Sequence, residues 1–237
     1  VPAEDEAMTS GSGPFGPGLT KFLRDLQGNN ERGWFQKNKQ RYEDEVREPA
    51  RAFIRAMVPQ VERISPHLRV DDRKVGGSMM RIHRDVRFSL DKRPYKTNLG
   101  IQFRHEAGKD VHAPGLYFHV EPGTVFLGAG MWHPDGPSRA AVRRAIDDDP
   151  KGWKRVRDAK RFGTLWRLSG DSLKRPPRGY AADHPMIEDL KRKDFIAICD
   201  LKPADVTRSD LIELVGERFG RTKDFLAWLA EAVEMPF

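Results

Sequence analysis

The chain has 237 residues, of which 38% are hydrophobic and 32% charged, and its formal net charge is +7. That length can bury the core of one large domain or two small ones. No apolar run approaches the roughly 18 residues of a membrane span, and no apolar leader opens the chain. The single cysteine, Cys199, excludes an internal disulfide and reads as a small buried hydrophobe in its apolar setting, which points to a cytoplasmic protein.

Residues 1–18 are rich in Gly and Pro and poor in apolar side chains, and they read as a disordered tail ahead of a single domain at 19–237. Leu19, Phe22, Leu23 and Leu26 come next at helical spacing, and Gly28-Asn29-Asn30 stops that helix. Trp34 and Phe35 are expected to plug the core at a turn. Asn38 is placed to cap a second helix whose apolar face runs from Tyr42 through Val46, Ala50, Phe53, Ile54, Met57 and Val61 to Ile64. Pro49 should kink or divide that helix. The period then changes to two: Leu99, Ile101 and Phe103, and then Leu116, Phe118 and Val120, alternate with other residues. Pro122-Gly123 marks a tight turn into a third strand, Thr124–Trp132. With Ser78–Ile82 this predicts an antiparallel sheet of about four strands. Helical patterns return at 140–146 and 153–159. Gly163–Leu168 and Phe195–Leu201 have strand length. The last two helices are expected at 210–219 and 223–233, the second capped by Thr222. Strands in the middle with helices at both ends make an α+β protein with a central, mainly antiparallel sheet.

The positive charge is local. Residues 73–109 hold ten Lys/Arg against three Asp/Glu, and residues 151–178 hold ten against two, while the rest of the chain is negative. Two basic segments suggest an electrostatic footprint for phosphate or another anion.

Alternation also sorts the sheet faces. If Leu116, Phe118 and Val120 face the core, then Tyr117, His119 and Glu121 share the other face. On the next strand Phe126, Gly128, Gly130 and Trp132 fall on that same side, where Gln102 and Arg104 also lie. Two glycines at period two weaken a strand unless something must approach the backbone closely, and Trp132 could wall a cleft. His119 and Glu121 are candidates for proton transfer.

Between these strands runs a segment dense in charge. Arg81, Arg84 and Arg87 are spaced by three, and Lys92 and Lys96 lie just beyond them. Guanidinium groups bind phosphate or carboxylate bidentately and ammonium groups act as point charges, so these five are candidate anion ligands. Asp85 either pairs with a neighbouring arginine or serves as a general base or metal ligand. Tyr95 either anchors the loop in the core or faces a ligand. The segment is placed to fold over the polar sheet face as a rim or lid.

The run Arg81-Ile82-His83-Arg84-Asp85-Val86-Arg87-Phe88, continued by Asp91-Lys92 and Pro94-Tyr95-Lys96, resembles the signature of a bacterial and fungal family known only as domain of unknown function 2461. Gly115-Leu116-Tyr117-Phe118-His119-Val120-Glu121-Pro122-Gly123 and Gly128-Ala129-Gly130-Met131-Trp132 resemble its second block. The likeness covers about residues 19–235. It implies one domain and gives weight to Arg81, Arg84, Asp85, Arg87, Phe88, Lys92 and Tyr95, but it carries no known activity.

No nucleophile elbow, Walker loop or dinucleotide fingerprint occurs, and the histidines lack the spacing of a metal site, so neither metal nor cofactor is expected. Trp153 and Trp166 among Lys154, Arg155, Arg157, Lys160 and Arg161 mix aromatics with cations as nucleic-acid surfaces do, although Trp153 also fits a core stripe. The leading expectation is a pocket for a small anionic ligand, with hydrolase or transferase chemistry left open. The alternatives are a non-catalytic nucleic-acid binder and a partner-binding domain whose charged run is an internal ion-pair network. The oligomeric state is not legible.

Overall fold

The structure is a computed structural model that describes residues 13–107 and 113–237. Most of the expected tail lies outside the described residues. Its last part, residues 13–18, is corrected: Phe15 is 1% exposed and helix α1 already begins at Pro17. A proline fits there because the first turn needs no N–H from it. Helix α1 (Pro17–Gly28) buries the four apolar residues of its stripe. Trp34 and Phe35 lie in a short helix, α2 (Arg32–Lys37), and not at a turn. The Asn38 amide turns back to the Trp34 carbonyl, so it closes α2 and does not cap the next helix.

Helix α3 (Lys39–Tyr42) runs into a π-helical turn at Glu43–Arg47 and then α4 (Glu48–Ala56) and α5 (Val58–Glu62). The break expected at Pro49 takes this form. Pro49 has no N–H to give the carbonyl four residues back, and the Glu48 N–H bonds to Glu43, five residues back.

The sheet has five strands: β1 (Leu99–Arg104), β2 (Gly115–Glu121), β3 (Thr124–Met131), β4 (Arg167–Ser169) and β5 (Phe195–Leu201). Their spatial order is β1-β2-β3-β5-β4 and every neighbour is antiparallel. The strand expected at Ser78–Ile82 is not formed. The stretch from Leu68 to Met80 meets β1 and the residue after it through isolated bridges at Leu68–His105 and Met79–Ile101, with bonds from the Arg69 N–H to Arg104, from the Met80 N–H to Gly100 and from the Gln102 N–H to Ser78. It covers the open edge of β1 without extending the sheet. Likewise β4 is shorter and later than expected, because Lys160–Gly163 forms a helical turn, α8.

Helices α6 (Gly136–Asp148), α7 (Pro150–Arg157), α9 (Ile187–Leu190), α10 (Leu211–Gly220) and α11 (Lys223–Ala232) complete the chain. Thr222 does not cap α11 through its side chain; its hydroxyl donates to the Phe219 carbonyl. The core forms where the helices meet one face of the sheet. Phe53 and Phe15 pack on Phe118, Phe219 on Phe103, and Trp153 on Phe195. Each wholly buried side chain of this size stabilises the fold by about 1.5–3 kcal/mol.

Candidate functional site

The face of the sheet opposite the core is covered in part by Met80, Lys96 and Asn98 from the chain ahead of β1. The register sets Tyr117 opposite Gly128 on one side and Gln102 on the other, and His119 between Phe126 and Gly100. Glycine is needed at 100 because a Cβ there would fall 2.7 Å from the Tyr117 hydroxyl. Gly130 has φ +117°, and a Cβ on it would strike the Phe195 carbonyl; its place is fixed by backbone geometry. The result is a cavity of about 540 Å³ floored by β1, β2, β3 and β5. Its walls are mostly apolar: Met80, Phe126, Trp132, Ile196 and Ile198. Its polar groups are Lys96, Asn98, Gln102, Tyr117 and His119.

Three side chains on β2 form a chain of contacts. The Tyr117 hydroxyl lies 3.1 Å from His119 Nδ1. His119 Nε2 lies 3.5 Å from Glu121 Oε2. Glu121 Oε1 accepts from the Thr97 hydroxyl at 3.2 Å and from the Gln27 amide at 3.4 Å. The Asn98 amide also approaches Nδ1, at 3.5 Å. Donors on the Nδ1 side assign the imidazole proton to Nε2, facing the carboxylate. The ring is held flat on Phe126, with centroids 4.5 Å apart. Burial pushes the Tyr117 hydroxyl up to about 12, with the Asn98 hydrogen bond acting against it. Burial also holds His119 below the ordinary histidine value, against the pull of Glu121. Near neutral pH the tyrosine therefore keeps its proton and the imidazole is a neutral acceptor. A base oriented by a carboxylate and aimed at a hydroxyl is an arrangement suited to proton transfer.

The cations divide into two groups. Lys96 lines the cavity, and among the described residues its ammonium has no hydrogen-bond or carboxylate partner. Burial, and then the charge of Arg81, lower its proton affinity. Arg81 is exposed and does not line the cavity, and its charge also acts on Asp85. The other cations are engaged within the loop. Arg84 bonds to Asp91 at 2.6 Å and to the Arg93 carbonyl, Arg87 to Asp85 at 2.7 Å, and Lys92 to the Val86 carbonyl at 3.0 Å. Arg84, Asp85, Arg87 and Lys92 do not line the cavity. Two hydrogen bonds from the Arg87 guanidinium and one from its backbone N–H hold the Asp85 carboxyl down to about 2, which makes it a weak base. Tyr95 is buried and stacked on Phe35 at 4.2 Å, and its backbone N–H and carbonyl are both bound by the Asn30 amide. It anchors the base of the loop in the core.

Sequence reading thus marks Lys96, Tyr117, His119, Gly128, Gly130 and Trp132, which the fold brings to one cavity, with Glu121 behind His119. It misses Asn98, which lies two residues beyond Lys96 in the alternation that continues through Gly100 and Gln102. It also misses Ile196 and Ile198, because an apolar run has no period when both faces of the strand are apolar. In the second basic segment Trp153 and Trp166 are buried and Arg157 pairs with Asp158 and Asp189, so the aromatics there offer no stacking surface. Among the described residues no three His, Cys, Asp or Glu side chains converge as metal ligands, and no helix is long and apolar enough to cross a membrane.

No curated protein matches this chain. The sequence model of the family described as conserved hypothetical protein, DUF2461, matches residues 18–228, most of the chain, and the protein belongs to that family.

Proposed function

We propose that the open face of the sheet binds a small organic anion with an apolar body, and that Tyr117, His119 and Glu121 move a proton on or near it. The observation that carries this reading is the Lys96 ammonium, unpartnered among the described residues inside a mostly apolar cavity. Lys96 is half-buried, so its ammonium is partly desolvated without a counter-ion, and an anion entering the cavity would relieve that cost, with Arg81 adding long-range attraction. The volume lies within the range of small-molecule sites, and the mix of apolar wall and few polar groups is typical of them. Arg84, Arg87 and Lys92 act in this reading as internal braces of the loop, which keeps part of the ion-pair alternative for those residues alone.

The test is calorimetric titration with benzoate, phenyl phosphate and inorganic phosphate. The aromatic anions are expected to bind more tightly than inorganic phosphate. Lys96→Met should abolish binding, while Lys96→Arg retains part of it. Equal binding by wild type and Lys96→Met would overturn the assignment.

A further inference from the structure

We propose that Lys96 is a carbonyl-reactive amine, and that the anion taken up by the cavity carries an aldehyde or ketone that condenses with it. This rests on the anion-binding reading and names the substrate class of the same site. A surface lysine is a poor nucleophile because water keeps it protonated. Lys96 differs in three ways visible in the fold. Its side chain lines a cavity whose walls are mostly apolar, Met80, Phe126 and Trp132 among them. Its charged neighbour from the preceding segment, Arg81, has the same sign. The carboxylate closest to the site in the hydrogen-bond network, Glu121, is engaged by Thr97, Gln27 and His119. Desolvation and a neighbouring cation are the two devices that make a lysine amine available for imine chemistry, and the direction of the Lys96 shift agrees.

The remaining groups fit the steps. The amine lone pair attacks the carbonyl carbon, the C–N bond forms, and the carbonyl electron pair moves to oxygen, which takes up a proton. The amine nitrogen gives up a proton, the hydroxyl leaves as water after a second protonation, and the C=N bond closes. The ammonium must first lose one proton to free that lone pair, and the two protonations and one deprotonation that follow take one proton back, so the sum is ammonium plus carbonyl giving protonated imine plus water, with no oxidant or reductant. Tyr117 and His119, in the same cavity, are the donor and acceptor for these transfers. The protonated imine carries the positive charge that the ammonium carried, so the anion remains neutralised.

The experiment is borohydride trapping near neutral pH on the full chain with 4-carboxybenzaldehyde, then peptide mass spectrometry, with benzaldehyde as the uncharged probe. Labelling is expected to fall on Lys96, about tenfold above the average of the other lysines. Lys96→Arg should lose the adduct while still binding benzoate, and Arg81→Gln should slow trapping. Adducts spread evenly over the surface lysines while benzoate still binds would overturn the imine and leave the anion site standing. Even labelling with no benzoate binding would overturn both. Equal trapping of Lys96 by benzaldehyde and its carboxylated form would keep the nucleophile and overturn the anion site.

Discussion

Tyr117 lies across Gly100, so the smallest change on β1 reaches the proton relay. A methyl group at 100 would sit 2.7 Å from the Tyr117 hydroxyl, 3.1 Å from its ring and 3.2 Å from Met80 Sδ. Gly100→Ala is expected to cost about 1–3 kcal/mol as an overpacked site and to lift the hydroxyl from His119. Adding Tyr117→Phe removes only the hydroxyl contact, so a double-mutant cycle should show positive coupling; strict additivity would mean that Tyr117 does not rest on Gly100. The His119 prediction concerns pH. Because burial lowers its proton affinity in the folded chain, the unfolded chain, with an ordinary histidine near ~6.5, binds this proton more tightly. The stability contributed by neutral His119 is complete above that unfolded value and is lost as the pH falls through it toward the lower folded value. The denaturation midpoint should drop on acidification across this window, and His119→Gln should flatten that portion of the profile. Asp85 is the opposite case: its pair with Arg87 is exposed, so Asp85→Ala should leave the melting temperature unchanged. Strand alternation made the Tyr117, His119 and Glu121 row legible. Which cations remain available to a ligand was not, because Arg84 meets Asp91 seven residues on and Arg87 meets Asp85 two residues back, a choice made by loop geometry.

At the scale of elements, the mouth of the cavity depends on a buried carboxylate. Asp194, just before β5, is 1% exposed and accepts from the His133 N–H at 2.7 Å and the Asp171 N–H at 2.8 Å, with His133 Nδ1 at 3.0 Å. It ties the end of β3, where Trp132 stands 51% exposed with its ring tilted against His133, to the turn after β4. Asp194→Ala leaves two backbone donors without an acceptor and should cost about 3 kcal/mol. Trp132 fluorescence should shift as the mouth loosens; a stable protein with unchanged emission would mean that these segments are held by other contacts. Nothing in the sequence singles out Asp194, since its partners are 61 and 23 residues away. The strands β1, β2 and β3 were legible because each has one wet face. The segment 68–80 was not, because Gly76 at φ +76° and Gly77 interrupt it between its contacts at Leu68–Arg69 and those at Ser78–Met80.

On the scale of the whole molecule, the core forms where helices meet one face of the sheet and the cavity lies on the other, and the N-terminal residues belong to that helical layer. A Cβ on Gly13 would collide with the Arg208 carbonyl, so the chain is already pressed against the body of the protein there. Phe15 then packs 5.4 Å from Phe53 and 6.3 Å from Phe118. Phe118 is on β2, between Tyr117 and His119, with its ring on the core side. Composition hid this, because one phenylalanine among four glycines and three prolines does not lift the mean apolar content of residues 1–18. The burial of a single ring is decided by the hole it fills and not by its neighbours in sequence. Phe15→Ala would open that hole between α4 and β2 and should cost about 3–5 kcal/mol. A measured loss within the small range of surface substitutions would return this segment to a tail. A loss in the core range, together with weaker benzoate binding, would show that the support behind β2 also holds the Tyr117 and His119 side chains in place on its far face.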